Sequence, residues 1–353
     1  MKVVLAGGGT AGHIEPALNL ADEIMRRDSS STVVALGTLR GLEGSLVPGR
    51  GYRLEYIPAV PLPRKPNLDL LSLPIRLNSA IKSARAIMRE LNADVVVGFG
   101  GYVAMPAYFA ARGQFPLVVH EANARPGLAN RVGARFADAI AESVPGSLPN
   151  AIFTGNPLRA SIAELNRSES RAQARAYFGL NPTGQVLLVF GGSQGAHRIN
   201  NAIGQAVRDG IFGSIQVLHA VGSKNNPPHA ETENYKPISY IDRMDLAYAA
   251  ADLALCRSGA MTVAEVSAVG LPSCFIPFPI GNGEQRLNCL AMVESGAALY
   301  VADEQFDAAY IREVIVPLIS DTEKLNAMSQ ASKLFARPNA ASRLADLVES
   351  VVK

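Results

Sequence analysis

Short apolar runs rich in branched residues alternate along the chain with longer stretches in which apolar positions recur at helical spacing. In the first half the runs fall at residues 3–5, 32–35, 53–57, 94–97, 117–119 and 151–153. In the second half they fall at 186–190, 215–219, 238–240, 253–255, 273–276 and 298–301. Strand-like runs separated by helical patterns predict an α/β fold with a parallel sheet flanked by helices. Gly155-Asn156-Pro157-Leu158-Arg159 marks a boundary, because proline after a strand ends regular pairing and a charged helical stretch, 160–176, begins behind it. Two final helices, near 321–335 and 340–352, are separated by Arg337-Pro338-Asn339. The domains expected are 1–159, 160–336 and a terminal segment, 337–353, that packs back on the first.

Two of the strand-to-helix junctions are alike. Val3-Val4-Leu5-Ala6 leads into Gly7-Gly8-Gly9-Thr10-Ala11-Gly12-His13, and Val186-Leu187-Leu188-Val189-Phe190 leads into Gly191-Gly192-Ser193-Gln194-Gly195-Ala196-His197. The repeat predicts two similar α/β halves facing each other, with the chemistry in the cleft between them. Glycines let backbone amides approach an anion, and the following helix offers unpaired N–H groups and a positive dipole end, so a pyrophosphate is the natural guest. Tight strand-to-helix turns also need glycine for backbone reasons alone.

With 353 residues the chain is long enough for about two cores. Its 48% hydrophobic and 18% charged residues are those of an ordinary globular protein. The start, Met1-Lys2 followed at once by a strand and glycines, does not resemble a signal peptide, and the uncharged stretch 95–111 contains Gly98, Gly100, Gly101 and Pro106, which suit strand, loop and helix better than a membrane span. Cys256, Cys274 and Cys289 fall in no metal-ligand spacing and read as reduced core residues of a cytoplasmic protein. The net charge of +2 hides a basic segment: Arg64, Lys65, Arg76, Lys82, Arg85 and Arg89 face one acid, Asp69, among apolar Leu68, Leu70, Leu71, Leu73, Ile75, Leu77 and Ile81. Such a segment suits an anionic bilayer surface or a crossover helix with a solvated basic face. No aromatic residue lies among these charges to stack on bases, which argues against nucleic acid.

Gly7 to Gly12 fit the G-x-G-x-x-G pattern of dinucleotide enzymes, but that reading needs an acid at the end of the second strand. Here the strand ends Ala35-Leu36-Gly37-Thr38, with Glu43 the nearest acid, and Ser193 breaks the pattern in the second turn. His13, at the entry to its helix, is kept neutral by the dipole and suits a general base for a hydroxyl nucleophile, or it bonds the turn. Arg257-Ser258-Gly259-Ala260-Met261-Thr262-Val263-Ala264-Glu265 reads as a strand end, a cap and turn, and a helix start. Glu265 could there bind the paired hydroxyls of a ribose or act as a dipole-capping acid. Gly281-Asn282-Gly283-Glu284-Gln285 opens another helix with amide groups suited to sugar hydroxyls. Gly98-Phe99-Gly100-Gly101-Tyr102 and His120-Glu121-Ala122-Asn123 follow strands and should face the ligand side of the sheet.

Taken in order, GGGTAGH at 7–13, GFGGY at 98–102, HEAN at 120–123, TGNPLR at 154–159, GGSQGAHRIN at 191–200, CRSGAMTVAE at 256–265 and GNGEQRLN at 281–288 run through nearly the whole chain. Together they resemble the MurG family of glycosyltransferase family 28, the UDP-N-acetylglucosamine transferases that complete lipid II for bacterial peptidoglycan. The resemblance implies two Rossmann-like domains facing across a cleft, the GT-B fold, with the lipid-linked acceptor on the N-terminal domain and the sugar donor mainly on the C-terminal one. It implies donor contacts at Thr10, Ala11, Gly12, Asn123, Arg159, Ser193, Ile241, Ala260, Met261, Thr262, Val263, Ala264, Glu265 and Gln285, with Glu265 on the ribose, Gln285 on the GlcNAc hydroxyls and His13 as the general base or as the group that positions the acceptor. Ala122 stands where the family often has glutamine, and Glu284 where it has a second glutamine or another polar residue. The implied partners are UDP-GlcNAc, lipid I and the cytoplasmic face of the membrane as a peripheral contact. No cofactor or metal is implied, and no Asp-x-Asp occurs in the chain. A UDP-GlcNAc epimerase of the same fold and a non-catalytic nucleotide-sugar binder are the alternatives.

Overall fold

The computed structural model describes residues 1–39, 41–60, 69–192, 195–223, 225, 233–280 and 282–352. Ser193, Gln194, Arg64, Lys65, Leu68 and Gly281 lie outside the described residues, as do the side chains of Leu70 and Leu71. The chain divides into two compact units, Met1–Leu158 with Asn339–Lys353, and Arg159–Pro338.

The first unit holds β1 (Lys2–Gly7), β2 (Thr32–Gly37), β3 (Arg53–Tyr56), β4 (Val95–Gly100), β5 (Leu117–Glu121), β6 (Ala139–Glu142) and β7 (Ile152–Phe153). They form one sheet in the order β3-β2-β1-β4-β5-β6-β7, and every pairing is parallel. The second unit holds β8 (Val186–Phe190), β9 (Gln216–Ala220), β10 (Tyr235–Ile238), β11 (Leu253–Cys256), β12 (Ser273–Phe275) and β13 (Ala298–Tyr300), in the order β10-β9-β8-β11-β12-β13, again all parallel. In each unit the first strand lies inside the sheet and the fourth pairs on its other side. This is the doubly wound order, and it leaves a switch point between β1 and β4 and another between β8 and β11. The two expected α/β halves are therefore present as two parallel sheets.

Strands β1, β4, β5 and β8 are buried on both faces apart from Lys2, which is why they read as unbroken apolar runs. The terminal helix Ala340–Val351 buries Leu344, Ala345 and Val348 in the same core as Val3, Leu5, Leu20 and Ile24. Arg27 fixes it further through Asp346 at 2.7 Å and Glu349 at 3.1 Å.

Three local expectations differ from the structure. The stretch 160–176 is two helices, Ala160–Ala163 and Arg167–Tyr177, because Asn166 takes the N-cap position of the second and accepts from the amides of Ser168 and Glu169. The strand expected at 238–240 is Tyr235–Ile238; it includes Pro237, which is tolerated because β10 is the edge of its sheet. Strand β6 adds to the expected set: Ala139-Ile140-Ala141-Glu142 has a weak local preference, which pairing with β5 overrides.

His120 and His219 are buried, and desolvation lowers both to a pKa of about 4. Between pH 6.5 and 4 the unfolded chain binds protons that the native state excludes, so stability falls as pH drops through that window, by up to about 1.4 kcal/mol per unit for each ring. The urea midpoint is expected to be lower at pH 5 than at pH 7, with a smaller drop in His219→Gln.

Candidate active site

At the first switch point the backbone after β1 crosses the backbone after β4. Gly8 N–H reaches Gly100 O at 3.4 Å. Gly101 has φ +82°, and a Cβ there would overlap the Gly8 carbonyl, so only glycine permits the crossing. Gly100 leaves room for the His13 ring, whose Cδ2 would lie 3.1 Å from a Cβ at that position.

The helix Ala11–Arg27 starts at Thr10 with no side-chain cap and no acid in its first turn. Thr10 Oγ1 instead lies 3.2 Å from His13 Nδ1. Desolvation lowers the His13 pKa, against the opposing hydrogen bond with the Gly8 backbone, so the ring is neutral near pH 7 and able to accept a proton. The sequence placed His13 at this helix entry; the structure adds the Thr10 contact that orients it.

Glu43 does not stand free to hold a ribose, as a dinucleotide site would need. Its carboxylate is fully buried, and Oε1 accepts the Gly9 N–H at 2.8 Å. One amide of the first glycine turn is thus already occupied by an internal anion, which narrows the pyrophosphate reading of this turn to Thr10, Ala11 and Gly12.

The loop after β5 is ordered by Glu121, which is 2% exposed. Its oxygens accept from Asn123 N at 2.9 Å, Gly127 N at 3.2 Å and Asn130 Nδ2 at 2.9 Å. Burial pushes the Glu121 carboxyl up, and these donors work in the opposite direction. Asn130 Oδ1 in turn accepts from Tyr108 OH at 2.7 Å. Asn123 Nδ2 lies 3.3 Å from Glu121, so the loop presents Asn123 in a fixed orientation.

In the second unit, β11 leads through Arg257 and Ser258 to the helix Ala260–Ala268. Gly259, which has no side chain to cap with, is its N-cap, so Ser258 does not play the capping role expected of it. Helix geometry leaves the Met261 and Thr262 amides without intrahelical acceptors. Glu265 stands one turn further on, and its Oε2 accepts from Tyr248 OH at 2.7 Å. Tyr248 is fully buried on the helix Met244–Ala250, so it fixes the carboxylate from the protein side. Gln285, near the start of the helix Glu284–Glu294, accepts the Phe278 N–H at its Oε1 over 2.9 Å. That bond fixes the amide, leaving its NH2 with no hydrogen bond among the described residues.

Asn288 Nδ2 reaches Ser258 O at 3.3 Å and ties the two helix starts together. Arg159 is the N-cap of Ala160–Ala163, a helix in contact with Ala260–Ala268. Ile241 is buried in the turn after β10. In this unit the structure therefore groups residues 260–265 with Gln285; Ser193 lies outside the described residues.

Residues 3–142 match the glycosyltransferase family 28 N-terminal domain, and residues 186–344 match the family's C-terminal domain. The chain belongs to glycosyltransferase family 28. It is 54% identical over 364 residues, covering 100% of this chain and 94% of the other, to a Mycolicibacterium smegmatis protein named UDP-N-acetylglucosamine--N-acetylmuramyl-(pentapeptide) pyrophosphoryl-undecaprenol N-acetylglucosamine transferase. A Streptomyces coelicolor protein of the same name is 53% identical over 358 residues, covering 100% of this chain and 98% of that one. Among solved structures, Acinetobacter baumannii MurG aligns with a TM-score of 0.76 at 27% identity, covering 99% of each chain. This family 28 chain is a glycosyltransferase of the GT-B fold.

Helix starts in this family 28 chain divide by chemistry. Arg167–Tyr177 and Thr322–Lys333 are capped by Asn166 and Asp321 and carry Glu169 and Glu323 in their first turns. The helices Ala11–Arg27, His197–Arg208 and Ala260–Ala268 stand at the switch points with neither a side-chain cap nor an acid in the first turn. An acid-free first turn leaves the positive end of such a helix open to an anionic ligand. The lack of an acid in those first turns is legible in the sequence, but the lack of a cap is not, since Thr10 and Ser258 are residue types that cap; Tyr248 as the anchor of Glu265 gave no local signal either.

Proposed function

We propose that this glycosyltransferase moves GlcNAc from UDP-GlcNAc to the C4 hydroxyl of MurNAc in lipid I, giving lipid II. The observation that carries the reading is Glu265, a carboxylate held by Tyr248 one turn beyond the start of a helix that has glycine at its N-cap and no acid in its first turn. It pairs a ribose-diol acceptor with a diphosphate cradle on one helix. The names of the relatives, at half identity or more over the full chain, support the same donor and acceptor.

In this proposal the unit Arg159–Pro338 holds the donor. Glu265 takes the ribose, and the Gln285 NH2 donates to a GlcNAc hydroxyl oxygen. Arg159, Ser193 and the amides of residues 260–264 address the diphosphate region, and Ile241 lines the nucleoside. The unit Met1–Leu158 with Asn339–Lys353 holds the acceptor, and Thr10, Ala11, Gly12 and Asn123 contribute further polar contacts. His13 removes the proton from the attacking hydroxyl as its oxygen bonds to the anomeric carbon. The bond from that carbon to the diphosphate oxygen breaks with inversion, and UDP departs toward helix-terminal amides that stabilise its charge.

A peripheral position on the cytoplasmic face of the membrane completes the proposal. Among the described residues no helix is long and apolar enough to cross a membrane. The helix Asp69–Leu91 exposes Ile75 at 75%, with Lys82 also exposed. Arg85 and Arg89 are partly spent on structure, bonding to Phe109 O, Ala110 O and Gln114. The membrane contact therefore relies on fewer cations than the sequence offers.

The test is the purified chain with UDP-GlcNAc and a lipid I analogue. Disaccharide product and UDP are expected in equal amounts, with cosedimentation on vesicles containing anionic lipid and none on neutral vesicles. Conversion of UDP-GlcNAc without acceptor would favour an epimerase, and donor binding with no product would favour a binding protein. Equal binding to both vesicle types would remove the anionic-surface claim.

A further inference from the structure

We propose that Asp303 is a positioning residue for the donor site, acting through Arg257 on the segment that orients Gln285. The inference rests on the donor reading above. Asp303 follows β13 and opens the short turn Asp303–Gln305. Its Oδ1 accepts from Arg257 Nη1 at 2.5 Å, and its Oδ2 accepts from Arg198 Nε at 3.1 Å. Arg257 follows β11 and Arg198 lies in the first turn of the helix after β8, so one carboxylate joins three loops at the carboxyl ends of the strands. The carboxyl ends are where ligands bind in such sheets.

Arg257 extends the connection to a fourth loop. Its Nη1 also donates to Ile276 O at 2.9 Å and Pro277 O at 3.2 Å, and its guanidinium lies 5.4 Å from the centre of the Phe278 ring. The Phe278 N–H is the donor that fixes Gln285 Oε1. Only 10% of the Arg257 side chain and 13% of the Asp303 side chain are exposed. A guanidinium this desolvated needs an anion, since two carbonyls leave its charge uncompensated. Without Asp303 it would turn toward water, releasing the 276–278 backbone and with it the Gln285 amide. Arg198, half exposed and bound to the other oxygen, holds the carboxylate in the orientation that Arg257 requires.

The experiment compares wild type with Asp303→Asn, which removes the charge at constant size, and Asp303→Glu, which restores it. Asp303→Asn is expected to raise the UDP-GlcNAc KM about tenfold, equivalent to roughly 1.4 kcal/mol. Acceptor KM should hold within about twofold and kcat at saturating donor within about threefold, with Asp303→Glu recovering most of the loss. Because the effect runs through Gln285, adding Gln285→Ala to Asp303→Asn should raise donor KM by less than the product of the single changes. A donor KM equal to wild type in folded Asp303→Asn overturns the inference. So does a parallel loss of kcat, both KM values and thermal midpoint with no recovery in Asp303→Glu, since that is a purely structural role. Wild type that binds no UDP overturns the donor reading itself, a result distinguishable from either.

Discussion

Replacing His13 with alanine is expected to lower kcat by about 10²–10⁴-fold, the usual contribution of a positioned proton acceptor, while donor KM changes less than about threefold. The ring sits at the entry of an uncapped helix beside Thr10 Oγ1, and desolvation lowers its pKa below the ordinary histidine value of 6.5. A base works only when deprotonated, so the acid limb of kcat/KM should fall below pH 6.5 rather than at it. Steady-state rates with a lipid I analogue from pH 5 to 8 check both claims. Donor affinity falling as steeply as turnover in His13→Ala would remove the base assignment, and an acid limb above pH 6.5 would remove the argument from desolvation.

The second large effect concerns Glu265. Glu265→Ala should raise donor KM, and the Kd for UDP, by about 10–100-fold with kcat nearly unchanged, since hydrogen bonds to a charged group contribute about 1.5–3 kcal/mol. The same change leaves the Tyr248 hydroxyl buried without its acceptor, so a loss of stability accompanies it. Glu265→Gln separates the two effects, because the amide oxygen still serves Tyr248 while the negative charge on the ribose side is gone. Tyr248→Phe gives the converse: the carboxylate remains but loses its anchor, and donor KM should rise only about threefold. Calorimetric titration with UDP measures all four proteins. Wild-type affinity in Glu265→Ala would remove Glu265 from the ribose.

Both effects depend on residues whose positions were legible and on contacts that were not. The glycine turns at 7–12 and 191–195, the boundary near Pro157 and most strands could be read because each is written in a few consecutive residues: an apolar run, a glycine, a proline. Where the local signal was thin, as in Ala139–Glu142, or carried a proline, as in Tyr235–Ile238, position in the sheet decided the outcome. Glu43 marks the same limit at the site. As sequence it is merely the nearest acid after β2, and as structure it closes on the amide of Gly9, 34 residues earlier.

The sequence by itself determined the α/β alternation, the duplicated strand-turn-helix device and the acid-free first turns of the helices that begin at Ala11 and Ala260. Backbone sterics and capping chemistry act over one turn, so the information sits within a few residues. Only the tertiary structure decided which groups hold the site: Tyr248 on Glu265, Phe278 on Gln285, Asp303 on Arg257 and Glu43 on Gly9. Strand order sets most of these pairs: it brings the segments after β11 and β13 together for Arg257 and Asp303, and the segments after β1 and β2 together for Gly9 and Glu43. Hydrogen bonding between buried groups follows that proximity in space, which no local pattern in the chain encodes.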